Sequence, residues 1–132
     1  MKKIIPFLII LAVAACTPTF DINTYSALGW INVNANDMRN HCSTITTEDV
    51  HNKLLLTAQL AEQQELDRKY ADDLNKALAA LVKSIKSMES VYKKGTPSEW
   101  YCKNQLGLII KETTRIKRGI AELEDVRNPI LP

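Results

Sequence analysis

Helix-breaking residues and aromatic residues are both scarce in this sequence. The 132 residues include four Gly, five Pro, two Phe and two Trp, and aromatic residues make up 6% of the chain. So little Gly and Pro excludes a collagen-like or low-complexity chain, and an apolar fraction of 45% is too high for general disorder. The length fits one small domain, whose core must be built mostly from aliphatic side chains.

The chain also lacks a large excess of charge. Seventeen basic and fifteen acidic residues give a formal charge of +2, but Lys2 and Lys3 belong to a segment that we expect to be removed, which leaves fifteen of each sign. Nucleic-acid binding normally requires a basic face. The largest Lys and Arg groups are only Lys93-Lys94 and the three basic residues within 115–118. We therefore predict no nucleic-acid partner.

Motifs for catalysis or cofactor binding are missing as well. The sequence has no glycine-rich phosphate loop, no G-x-S-x-G nucleophile and no C-x-x-C or H-x3-H metal spacing. His41 and His51 are predicted to be surface or helix-cap residues. The carboxylates at Asp72-Asp73 and within 122–125 are predicted to lie on solvated helix faces, because neighbouring helix positions point in different directions. The sequence thus predicts no enzyme, no metal site, no cofactor and no small-molecule substrate.

The first sixteen residues do carry a signal. Met1-Lys2-Lys3 is a short positive start, an apolar stretch from Ile4 to Val13 follows, and Ala14-Ala15 supplies the small residues of a signal-peptidase site. About 12 apolar residues at ~1.5 Å each span ~18 Å, which is too short for a hydrocarbon core of ~30 Å. Residues 1–15 are therefore predicted to be a secretion signal and not a membrane-spanning anchor.

The run Val13-Ala14-Ala15-Cys16 resembles the lipobox of bacterial lipoproteins. In that family, cleavage falls before the cysteine and the cysteine carries the lipid, so the resemblance implies that Cys16 is the lipidation site. Two or more acyl chains hold a protein at a membrane, because each buried CH₂ contributes ~0.8 kcal/mol. Thr17, in place of Asp, is similar to the sorting signal for the outer membrane of Gram-negative hosts. The expected location is the periplasmic face of the outer membrane.

Residues 16–43 are predicted to be a lipidated N-terminus followed by a flexible linker. The stretch from Thr17 to His41 is rich in Thr, Asn, Asp and Ser, and its repeated Asn residues favour turns over a long helix. Within it, residues 25–33 are allowed to pack on the domain as one turn or a short strand. Trp30 is then the expected main contact.

Residues 44–132 are predicted to form an all-α domain. Neither Gly nor Pro occurs from Thr47 to Lys94, where helix-forming residues dominate. Thr46 and Asp49 have the spacing of a capping box at the start of this segment. Gly95 follows its end, where glycine commonly terminates a helix.

A further helix is predicted to begin at the cap Thr96-Pro97-Ser98-Glu99 and to run to about Val126. Apolar residues recur at spacings of three and four in this helix and in the segment before Gly95. The two seams therefore fold onto each other as an antiparallel coiled-coil hairpin. The facing pairs are Tyr92 with Cys102, Met88 with Leu106, Ile85 with Ile109, Leu81 with Thr113, Leu78 with Ile116, Leu74 with Ile120 and Ala71 with Leu123.

Two arrangements of residues 47–94 remain open. With Cys16 lipidated, Cys42 and Cys102 are an even pair in an oxidising compartment. A straight helix of about 47 residues separates its ends by ~70 Å, too far for a disulfide. A turn near residues 62–70, where the apolar seam is broken, brings both cysteines to one end. We therefore favour a small antiparallel bundle of three helices with a Cys42–Cys102 disulfide over a long two-helix coiled-coil hairpin.

The predicted function is that of a non-enzymatic, lipid-anchored cell-envelope protein. Trp100 and Tyr101 are a candidate partner surface, although packing on the core or over the disulfide is the commoner use of such residues. We expect a helical module that binds another envelope protein or a second copy of itself. Its size and expected location also resemble those of phage- and plasmid-type exclusion lipoproteins. The alternatives are a structural periplasmic tether, which a long hairpin would favour, and a spanin-like lysis accessory.

Overall fold

The computed structural model describes residues 22–63 and 68–127, with side chains at 23–63 and 72–122. Every regular element in these ranges is helical, which confirms the predicted all-α class. The described chain forms four main helices, one more than predicted. They are α1 (Ile22–Arg39), α2 (residues 47–63), α3 (Arg68–Lys94) and α4 (Glu99–Arg127), and a 3₁₀ turn (Cys42–Thr44) precedes α2.

Helix α1 takes the place of the flexible linker that the sequence predicted for residues 22–39. Its buried residues, Leu28, Ile31, Ala35 and Met38, recur at spacings of three and four. Full burial of a side chain such as Leu28 or Ile31 contributes ~1.5–3 kcal/mol, enough to hold a helix on a core. Trp30, the expected main contact, is instead 59% exposed. The linker prediction is therefore wrong for this segment, while residues 16–21 lie outside the described residues.

The asparagines of α1 explain the error. Asn32 Nδ2 donates to Ile110 O at 3.1 Å and to Thr113 Oγ1 at 2.9 Å, both on α4. Asn34 Nδ2 donates to Lys53 O on α2 at 3.1 Å. Asn favours turns when its side chain bonds to nearby backbone, but Asn32 and Asn34 bond across helices, while Asn36 donates to Asn32 O within α1. The bonds across helices tie α1 to both of its neighbours.

Helices α2 and α3 are separate and antiparallel, as the turn predicted near residues 62–70 requires. His51 Nδ1 lies 2.7 Å from Glu89 Oε2, although the two residues are 38 positions apart in the sequence. A continuous helix would place them ~57 Å apart. The start of α2 carries the predicted capping box: Thr46 Oγ1 accepts from Asp49 N at 3.1 Å, and Asp49 Oδ2 accepts from Thr46 N at 3.0 Å.

The residues of the predicted α3–α4 seam are buried, while their facing pairs stay a prediction. All of the paired residues with described side chains are buried except Leu74, which is partly buried against the core. The side chains of Ala71 and Leu123, the last pair, lie outside the described part. Gly95 connects the helices at φ +143°, a conformation open to glycine and strained for other residues.

The N-terminal cap of α4 lies two residues later than the predicted cap, Thr96. Helix α4 begins at Glu99, and Ser98 Oγ accepts from Tyr101 N at 3.1 Å. Ser98 therefore caps the helix in place of Thr96, since its hydroxyl is the one that reaches an unpaired backbone N–H. The far end of α4, at Arg127, is one residue beyond the predicted Val126.

The four helices pack in a ring in which each contacts the next and α4 returns to α1. Helices α1 and α4 are antiparallel. Lys117 Nζ lies 4.7 Å from the centre of the Tyr25 ring near the start of α1, and the Arg39 guanidinium lies over Gly107 near its end. We call the end with the 3₁₀ turn and Gly95 the disulfide end, and the end where α1 begins the basal end.

Candidate functional sites

The disulfide end holds the two cysteines that the sequence paired. Cys42, in the 3₁₀ turn, and Cys102, in the first turn of α4, form a disulfide with a Cα–Cα distance of 5.9 Å. Both are buried. The bridge joins the corner between α1 and α2 directly to α4. Cys16, the predicted lipidation site, lies outside the described residues together with the leader.

Trp100 and Tyr101, the candidate partner surface, differ sharply in exposure. Trp100 is 74% exposed at the start of α4, so it covers neither the core nor the disulfide. Tyr101 is half-buried against the core, and burial raises the pKa of its hydroxyl. A largely exposed Trp presents a large, rigid contact area, the property that makes Trp common at binding hot spots. Only Trp100 of this pair therefore offers a large surface to a partner.

Tyr92 lies close to these residues on the inner side of the disulfide end. It is 6% exposed, and its buried Oη has no hydrogen-bond partner among the residues that the structure describes. Burial, and secondarily the neighbouring Tyr101, raises the pKa of its hydroxyl. A neutral phenol buried in this way contributes its ring to the core and has no acid–base role near neutral pH.

A second cluster, which the sequence did not predict, joins α2 to α3. His51 Nδ1 donates to Glu89 Oε2 at 2.7 Å, and Lys93 Nζ lies 3.0 Å from Glu89 Oε1. The hydrogen bonds from Lys93 and His51 lower the pKa of the Glu89 carboxyl, whose side chain is 12% exposed. His51, predicted to be a surface or cap residue, keeps 45% of its side chain exposed and also joins two helices.

The backbone at His51 is unusual. Residues His51–Leu55 form a π-helical turn inside α2, and such turns are frequent at functional sites. The cluster borders a pocket of about 240 Å³. The pocket is lined by Thr47, Glu48, His51, Asn52, Glu89 and Lys93.

A His–Glu pair can orient an imidazole as a general base, which then needs a nucleophile within hydrogen-bond reach. Among the described residues, no Ser, Thr or Cys hydroxyl or thiol bonds to His51. The contacts of Glu89 with His51 and Lys93 make the cluster a polar clamp between α2 and α3. His51 and Glu89 are 38 residues apart in the sequence, so no local sequence pattern predicts the clamp.

Exposed apolar side chains are concentrated on α1 and α2. The large apolar residues that remain well exposed are Trp30, Val33, Leu56, Leu60, Trp100 and Leu108. The hydrogen bond from Asn34 to Lys53 O sets the register of α1 and α2, and it places the first four of these residues within ~9 Å of one another along the bundle axis. We call the surface formed by Trp30, Val33, Leu56 and Leu60 the α1–α2 face.

The predicted acidic faces are solvated where the structure describes them. Asp72, Asp73 and Glu122 are exposed, and Asp72 Oδ2 lies 3.0 Å from Lys76 Nζ. In residues 22–63 and 68–127, no group of three or more His, Cys, Asp or Glu side chains is arranged to hold a metal ion. No helix in the same ranges is long and apolar enough to span a bilayer.

Comparison with known proteins gives no relative: no protein-family model, no curated protein and no solved structure matches the chain. The function proposed below therefore rests on the residues and surfaces described above.

Proposed function

We propose that this protein is a non-enzymatic, lipid-anchored cell-envelope protein whose helical bundle binds another envelope protein through Trp100. The observation that carries the proposal is the 74% exposure of Trp100 beside a covalently fixed turn. Trp100 is two residues from Cys102, so the disulfide holds it on a rigid support. Binding through such a residue loses little conformational entropy.

The position of Trp100 relative to the predicted anchor also supports this function. Cys16 precedes α1, which starts at the basal end, whereas Trp100 lies at the disulfide end. The 18 residues of α1 separate these ends by ~27 Å. A partner in the periplasm would therefore meet Trp100 away from the point where the predicted anchor joins the domain.

The shape of the bundle favours a binding module over a structural tether. The longest helices, α3 and α4, have 27 and 29 residues and pack side by side. The domain is therefore only ~40 Å long, although a fully helical chain of this size could extend much further. A protein that acts only as a spacer would span a greater distance with its helices end to end than with its helices side by side. An exclusion lipoprotein that blocks a receptor is the narrower form of the same proposal, and self-association is its alternative.

Mass mapping of the membrane-extracted protein under non-reducing conditions tests the anchor. We expect an acylated Cys16 and a peptide linked through Cys42 and Cys102. A Cys16→Ser variant should leave the membrane fraction. If that variant is recovered fully membrane-bound, the lipid anchor is refuted.

Crosslinking in the periplasm tests the partner surface. Trp100→Ala should reduce the yield of the dominant crosslinked complex by about tenfold or more, as loss of a hot-spot side chain does. Leu108→Ala is the matched control, because Leu108 is 48% exposed on the same helix. Equal yields from both variants would contradict a role for Trp100.

A further inference from the structure

The α1–α2 face holds four of the six large apolar side chains that are well exposed among the described residues. Trp30, Val33 and Leu60 are each 59–61% exposed, and Leu56 is 43% exposed. Monomeric soluble domains seldom leave several large apolar side chains together in water. These four residues therefore need an occupant that covers them.

Charged side chains border this face at the disulfide end, where Asp37, four residues after Val33, and Lys53, three residues before Leu56, are both exposed. No Asp, Glu, Lys or Arg occurs at residues 22–36 of α1 or at residues 54–61 of α2. The opposite side of the bundle differs, since α3 and α4 present exposed lysines such as Lys83, Lys86 and Lys111. Covering the part of the α1–α2 face formed by residues 22–36 and 54–61 thus removes no charge of α1 or α2 from water, whereas covering the α3–α4 side would be costly.

The predicted anchor brings this face close to a bilayer. Six residues lead from Cys16 to Ile22, and even fully extended they span at most ~20 Å. Trp30 lies eight residues into α1, only ~12 Å from its start. A tilt of the bundle about the short connection is enough to bring Trp30 to the headgroup region, where Trp is preferred.

We propose that the α1–α2 face rests on the lipid bilayer that holds the N-terminus, with Trp30 at the interface. This inference depends on the lipid anchor of the proposed function. It assigns the two tryptophans different roles. Trp30 contacts lipid, while Trp100, on α4 diagonally across the ring from α2, stays available to a protein partner.

The two tryptophans provide the test, because they are the only ones in the chain. Trp100→Phe leaves Trp30 as the single fluorophore, and Trp30→Phe leaves Trp100. Each processed full-length variant is reconstituted in vesicles of phosphatidylethanolamine and phosphatidylglycerol that contain lipids brominated near the headgroups. We expect emission from Trp30 to fall by about half and to shift to the blue, and emission from Trp100 to fall by less than about a tenth.

Two further measurements sharpen the result. The quenching of Trp30 should change little between low and high salt, because apolar side chains and not charges hold the face to the lipid. Leu56→Lys with Leu60→Lys should abolish the quenching while the lipid keeps the protein in the vesicles. Leu108→Lys, at an exposed leucine on α4, is the matched control and should leave the quenching unchanged.

Three outcomes would overturn the inference. The first is equal quenching of Trp30 and Trp100. The second is quenching of Trp30 that survives the double lysine substitution. The third is a blue-shifted Trp30 without bromine quenching, together with a dimer that the lysine substitutions dissociate, which would assign the face to a second copy of the chain. Mass analysis of the same sample separates the failures: an unmodified Cys16 refutes the proposed anchor, while an acylated Cys16 without quenching refutes only the docking.

Discussion

The α1–α2 hairpin and the α3–α4 hairpin are built in different ways. Helices α3 and α4 meet along a regular seam of large aliphatic side chains such as Ile85, Leu106 and Ile109, all of them buried. Helix α1 contributes fewer large side chains and adds amide hydrogen bonds to α4 and α2. The comparison shows that a helix rich in asparagine belongs to the core when its apolar residues keep a helical period.

The disulfide links the two hairpins, and its removal has the largest expected effect. Replacing both Cys42 and Cys102 with Ser should lower the free energy of unfolding by ~4 kcal/mol, because the bridge closes a loop of 60 residues. Chemical denaturation measures the loss. Reduced wild-type protein should match the double variant. If oxidised wild type is no more stable than the variant, the bridge does not stabilise the fold.

Matched core truncations in α1 and α4 test whether the hairpins form one cooperative unit. Leu28 and Leu106 are both 0% exposed. Leu28→Ala and Leu106→Ala should each cost ~3 kcal/mol through lost burial and the remaining cavity. Both should shift the same single transition, followed by circular dichroism during denaturation. A loss below about 1 kcal/mol for Leu28→Ala alone would restore the linker interpretation of this segment.

The amide network of α1 should be worth less than its buried leucines. Asn32→Ala removes the hydrogen bonds to Ile110 O and Thr113 Oγ1 and should cost ~1–2 kcal/mol. Asn104→Ala, at an exposed position on α4, should change stability by less than about 0.5 kcal/mol. Thermal unfolding of the two variants measures the difference. Equal stability of both would mean that the asparagines of α1 contribute nothing to packing.

The clamp between α2 and α3 should add a pH-dependent contribution. Lys93 and His51 lower the pKa of folded Glu89 below its usual 4.5. Its stabilisation is therefore complete above about pH 5 and is lost as the pH falls through the folded pKa. Glu89→Gln should cost ~1 kcal/mol at pH 7 and progressively less in acid. Denaturation across pH 3–7 measures this, and a difference that does not shrink in acid would contradict the clamp.

Glycine substitutions give the smallest expected changes in stability. The sign of the change should differ between Gly29, inside a helix, and Gly95, in a turn. Gly29→Ala should stabilise the protein by ~0.5–1 kcal/mol, because the new methyl group would lie 3.4 Å from Lys117 Nζ, an ordinary contact. Gly95→Ala should instead destabilise it, since φ is +143° there. Thermal unfolding distinguishes the two signs. A stabilising Gly95→Ala would show that the turn between the hairpin helices relaxes freely.

Sequence patterns predicted many features of the hairpin formed by α3 and α4. The heptad spacing identified its buried residues, Gly95 identified its turn, and the even count of remaining cysteines predicted the pairing of Cys42 with Cys102. These features depend on local chemistry or simple counting. The separation of α2 from α3 was also predictable, because the apolar seam stops between them.

The remaining features depend on contacts between distant residues. The sequence does contain a helical signal for α1, the spacing of Leu28, Ile31, Ala35 and Met38, but the turn preference of Asn opposes it. The bond from His51 to Glu89 had no such signal. Nor did the α1–α2 face, since Trp30 becomes an exposed residue only when α1 turns its other side to the core.

The covalent bridge also sets how the bundle would respond to a pull. Force applied between a lipid at the start of α1 and a partner bound at Trp100 would pass along α1, cross from Cys42 to Cys102 and enter α4 at once. The connection between α2 and α3 would lie outside this path and bear no tension. A partner could thus strain the domain mechanically without extending the 60 residues enclosed by the bridge.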